Sequence, residues 1–97
     1  MKYVLVHWSI RDGENEYDEY ATVETENEEI NDIKLFRNVL KENYGGEDKD
    51  WKSYDENPRV YGLLHDYRIV KLEGIQEIDK ETQNALTSTG VAYGLKL

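Results

Sequence analysis

Ninety-seven residues supply one domain with a thin core, and a net charge of −9, from 21 carboxylates against 12 Lys and Arg, disfavours direct binding to nucleic acid or anionic lipid. The absence of cysteine excludes disulfides, thiol nucleophiles and thiolate metal sites. The longest apolar run, Tyr3 to Trp8, is broken by His7 and falls far short of the ~20 residues a membrane helix needs, so a cytosolic protein is expected.

Residues 3–10 alternate at period two. Val4, Val6, Trp8 and Ile10 form one apolar face, and Tyr3, Leu5, His7 and Ser9 form a mixed one, which predicts a strand. Asp12-Gly13 is a turn dipeptide, and residues 16–24 read as the returning strand of a hairpin. On it Tyr17, Ala21 and Val23 can face inward, with Glu19 as a misfit. Glu16, Asp18, Tyr20, Thr22 and Glu24 then face outward, as in a sheet with one wet face.

Thr25 stands three residues before Glu28 in a capping-box arrangement, and Glu28, Glu29 and Asp32 carry the charge a helix N-terminus favours. Apolar residues recur at Ile30, Ile33, Leu35, Phe36, Val39 and Leu40, and Gly45-Gly46 supplies a stop, so a helix is predicted over about 28–44. Residues 47–58 show no period, and an exposed loop carrying Trp51 and Tyr54 is expected there. Residues 59–65 fit a helical stripe and a strand of mixed burial equally well. Tyr67 to Leu72 predicts a strand, and Asp79 to Leu86 a short helix with Asp79 near its cap. Val91 to Leu97 predicts a closing strand, with Val91, Tyr93, Leu95 and Leu97 along one side. The expected fold is α+β over 1–97: an antiparallel or mixed sheet with one main helix on one face and a short second helix.

Catalytic patterns are weak throughout. Ser9, Ser53 and Ser88 lie in no nucleophile motif, and no G-x-S-x-G occurs. His7 and His65 could form an acid–base or metal pair only if the fold brought them together; otherwise they are ordinary surface or sheet residues. The acids of Asp12-Gly-Glu14-Asn-Glu16 lack the glycine placement and the final glutamate of a calcium loop. Neither an enzyme, a cofactor nor a metal is expected.

The placement of charge is the outstanding feature. From Asp12 to Asp32 there are ten acidic residues and no Lys or Arg. Outward side chains on a strand repeat every ~6.8 Å, so Glu14, Glu16, Asp18 and Glu24 could form a row that resembles a nucleic-acid backbone electrostatically. Tyr17, Tyr20, Tyr44, Trp51 and Tyr54 lie within or beside acidic stretches, and Tyr and Trp commonly anchor interfaces. The expected partner-binding set is Glu14, Glu16, Tyr17, Asp18, Glu19, Tyr20, Glu24, Trp51 and Tyr54. Its partner would be a basic protein surface, such as that of a nucleic-acid-binding protein. The same acids also read as a solvated face that keeps a small protein soluble. In size, acidity and want of catalytic motifs the chain resembles small phage inhibitors of the anti-CRISPR or anti-restriction kind, in character and without a shared motif. Two other readings stay open: a homodimer or assembly subunit pairing through the terminal strand, and a small ligand-binding domain or enzyme using His7 and His65.

Overall fold

A computed structural model describes residues 1–26, 31–45, 52–54, 56–63 and 68–96. The elements among them are β1 (Lys2–Asp12), β2 (Asn15–Thr25), α1 (Asp32–Tyr44), β3 (Lys52–Tyr54), β4 (Asn57–Leu63), β5 (Arg68–Ile78), α2 (Lys80–Ser88) and β6 (Tyr93–Lys96). The six strands form one mixed sheet in the order β3-β4-β5-β1-β2-β6. All neighbours are antiparallel except β2 and β6, which run parallel. An 11-residue strand extends about 36 Å at ~3.3 Å per residue, so β1, β2 and β5 account for the 38 Å long axis.

The α+β fold is as expected, and the alternation in β1 is its organising pattern. Val4, Val6, Trp8 and Ile10 are all buried, and with Ala21, Val23, Val70 and Leu72 they make the inner sheet face. Leu35, Phe36, Val39 and Leu40 of α1 cover that face. Removing each such side chain from water contributes roughly 1.5–3 kcal/mol, which makes this layer the principal source of stability. Phe36 lies between Trp8 and Tyr61, with ring centroids at 6.3 and 5.9 Å and planes tilted by 52° in both pairs. α2 lies on the opposite face, against β1, β2 and β6, where Thr22 is fully buried although its neighbours in alternation face outward. Gly94 permits that approach: a Cβ there would stand 3.2 Å from Thr87 Cγ2.

The hairpin turn has the chemistry its sequence promised. Asp12 pairs with Asn15, leaving Gly13 and Glu14 as the loop, and Gly13 has φ 65°. Glycine at the first central position is the requirement of a type II′ turn, whose twist suits the flanking strands. Gly13→Ala should therefore lower stability by about 1 kcal/mol, read as a shift in thermal midpoint, because alanine is strained at positive φ.

Several boundaries differ from the sequence reading. α1 begins at Asp32 rather than near residue 28, and Asn31 is its cap, accepting hydrogen bonds from the Ile33 and Lys34 N–H groups at 2.9 and 3.2 Å. Thr25 is instead the last residue of β2, buried in register with Lys2, where the inner-face alternation carries it. Glu28, Glu29 and Ile30 lie outside the described residues. The helix ends at Tyr44, and the Gly45 N–H donates to the Lys41 carbonyl. The stretch expected as a loop contributes β3 and the start of β4, and β3 pairs with Gly62, Tyr61 and Asn57 of β4. Residues 57–63 are strand, which resolves the ambiguity of 59–65 as far as Leu63. The strand expected at 67–72 runs on as far as Ile78 through a bulge opposite His7 and Trp8. α2 is capped by Asp79, whose carboxylate accepts from the Thr82 N–H at 2.7 Å. That bond holds the Asp79 carboxyl below its usual range.

Candidate functional site

The acidic segment occupies the turn and β2, at the hairpin end of the sheet. Glu14 is exposed in the turn, and Glu16 and Asp18 are exposed on the outer face. Glu24 is half-buried farther along the same face. β6 pairs with β2 only from Ala21 to Glu24, so among the described residues no strand covers the outer side of β2 from Asn15 to Tyr20. A two-residue turn closes on a pair that exchanges both backbone hydrogen bonds, so Asn15, Tyr17 and Glu19 bond toward β1. The N–H and C=O groups of Glu16 and Asp18 therefore point to the open side.

Tyr17 is on the inner side, as expected, in register with Ile10, but is 43% exposed. Tyr93, which begins β6, and Val91, two residues before it, are 51% and 53% exposed. Among the described residues the exposed large apolar side chains other than Met1 are these three. Tyr20 is half-buried and stacks on His7, with centroids 4.5 Å apart and planes 14° apart. His7 Nε2 is 3.0 Å from the Asp18 carboxylate.

Glu19 is not part of the exposed row. Its carboxylate accepts a hydrogen bond from the Tyr44 hydroxyl at 2.8 Å, and that hydroxyl accepts one from Trp8 Nε1 at 3.1 Å. The inward carboxylate that breaks the pattern of β2 is thus the end of a relay joining β1, α1 and β2. Tyr93 joins it from β6, where the charge of Glu19, burial and a hydrogen bond with Glu19 raise the tyrosine hydroxyl above its usual value. Burial raises Tyr44 far more strongly; the Trp8 bond opposes this and Glu19 adds to it. Nothing in the sequence pointed to Tyr44 as the link, since its partners lie 36 and 25 residues away.

Two predictions follow from that relay. Tyr44→Phe removes the shared hydroxyl and leaves the Trp8 N–H and Glu19 short of a partner, at a cost of about 1–3 kcal/mol in urea unfolding. The second concerns alkali. A tyrosine whose folded pKa is raised contributes stability present below its unfolded pKa near ~10 and lost as pH rises above it. Tyr44, Tyr61 and Tyr93 all shift in this direction, Tyr61 through burial opposed by Arg37. The unfolding midpoint should fall above about pH 10, with phenolate absorbance rising together with unfolding; a flat midpoint to pH 12 would contradict the relay.

The sheet also brings cations to a segment that has none in sequence. Arg68 Nη2 is 2.9 Å from the Asp12 carboxylate, and this bond to Asp12 raises the guanidinium further above its usual value despite opposing burial. Arg68 also lies 5.7 Å over the Tyr44 ring. Arg11 is in register with Glu16, and Arg11 and Lys71 line an outer-face hollow of about 510 Å³ with Glu16, Asp18, Val60 and Ile69. Within the turn and β2, the exposed acids are Glu14, Glu16 and Asp18.

Trp51 and His65 lie outside the described residues, and of Tyr54 only the backbone, in β3, is described. β3 is at the far edge of the sheet from β2, so the backbone of Tyr54 is not part of the hairpin edge. Among the described residues no three His, Asp or Glu side chains come together to hold a metal ion. No described helix is long and apolar enough to cross a membrane. No protein-family model, curated protein or solved structure matches the chain.

Proposed function

We propose that the chain is a protein-binding module that docks its hairpin edge on a basic surface of a partner. In the sharpest form of this reading it is a cytoplasmic nucleic-acid mimic that blocks a nucleic-acid-binding protein. One observation carries the reading: three exposed carboxylates share an open strand edge with an exposed tyrosine, and none of the three is needed by the core. Clustered negative charge steers a basic surface into contact, and the tyrosine supplies contact area with little loss of side-chain freedom.

Affinity capture tests this with the wild type and a Glu14→Gln, Glu16→Gln, Asp18→Gln variant. A basic partner should be retained by the wild type at low salt, released at high salt, and missed by the variant. An identical set of proteins captured by both would count against the docking edge.

A further inference from the structure

The open edge carries a second kind of information besides charge, namely unpaired backbone groups. We propose, resting on the docking role of this edge, that β2 accepts an extended basic segment of its partner as an added strand beside Asn15–Tyr20. Strand addition draws its affinity from main-chain hydrogen bonds and its selectivity from alternate side chains. Both components are present here. Glu16 and Asp18 offer N–H and C=O groups on the open side, and no described strand meets them.

The slot has defined ends. The turn at Gly13–Glu14 closes one, and the entry of β6 at Tyr93, opposite Ala21, closes the other. An occupant of about five or six residues fits between them. Side chains directly across an antiparallel pair stand ~4.5–5.5 Å apart at Cβ, so the faces of β2 dictate the sequence of the occupant. Its outer-face residues meet Glu16 and Asp18 and are Lys or Arg. Its inner-face residues meet the exposed ring of Tyr17 and, at the slot's end, that of Tyr93, and are apolar, because Glu19 between them is already engaged by the Tyr44 hydroxyl. The required pattern is an alternation of basic and apolar residues in extended conformation.

Charge selects against the other obvious occupant. A second copy of the hairpin edge would set Glu16 and Asp18 against their own counterparts, and like charges across a strand pair are destabilising. The acids that attract a basic segment therefore also keep copies of this edge from pairing with each other.

The probe is the hexapeptide acetyl-Lys-Val-Lys-Val-Lys-Val-amide, compared by isothermal titration calorimetry at low salt with acetyl-Lys-Lys-Lys-Val-Val-Val-amide. Two further forms of the alternating peptide are N-methylated, each at one of its two alternate sets of amides. An added strand bonds through one set only, so one methylated form should lose at least tenfold in affinity while the other binds as the parent does. The blocked peptide should bind at least tenfold more weakly than the alternating one, and the Glu16 and Asp18 amides should exchange at least tenfold more slowly in the complex. Equal binding of all four peptides, abolished by Glu16→Gln with Asp18→Gln, overturns strand addition and leaves an electrostatic docking edge. Absence of binding by every peptide overturns both.

Discussion

Trp8→Ala should cost about 3–5 kcal/mol, a large fraction of the roughly 5–15 kcal/mol that stabilises a domain of this size. Trp8 is fully buried in the central strand of the inner layer. Its ring meets Phe36 of α1, and its Nε1 donates to Tyr44 at the end of the same helix. Truncation therefore removes a large apolar surface, opens a cavity under α1 and breaks the hydrogen bond from Trp8 of β1 to the relay. Urea unfolding should show a lower midpoint with an unchanged slope if the native fold is kept. Trp8→Phe separates the two contributions, since it retains most of the packing and loses the N–H. A small effect of Trp8→Ala would mean that α1 is not anchored as described.

Reversing the edge charge should have the largest functional effect. In Glu14→Lys, Glu16→Lys, Asp18→Lys, three negative charges become positive on side chains that are exposed and buried in nothing. Association with a basic partner should slow by roughly 10–10³-fold, because steering by such a field acts on the encounter rate and becomes repulsive on reversal. Stability should change little, as surface substitutions ordinarily do. Asp18 is the one exception to watch, since it loses its contact with His7. The same reversal of Glu73, Glu77 and Glu81, also exposed but on β5 and α2, is the matched control and should leave association nearly intact.

The sheet was legible where the pattern was local. The alternation of β1, the Asp12-Gly13 turn and the inward Ala21 and Val23 came from period and turn chemistry, and each depends only on near neighbours. The start of α1 was misread because two capping residues compete: Thr25 satisfies the capping-box spacing, but burial in β2 claims it, and Asn31 caps instead. The strand over 57–63 was only half legible, because its apolar spacing fits two periods and pairing with β5 decides between them. Charge counted along the chain is blind to Arg68 and Lys71, which the sheet delivers from β5 to the neighbourhood of residues 12–18. Glu19 was visible as an anomaly in the alternation, and the tyrosine relay that accommodates it is long-range and had no sequence signal.

The most direct measurement is a titration of the isotopically labelled protein with hexalysine at low salt, followed residue by residue through its amide signals. Shifts should concentrate between Glu14 and Tyr20, with weak response at Glu73, Glu77 and Glu81. Shifts spread evenly over all exposed carboxylates, or absent from the hairpin, would show that its acids form no preferred docking face.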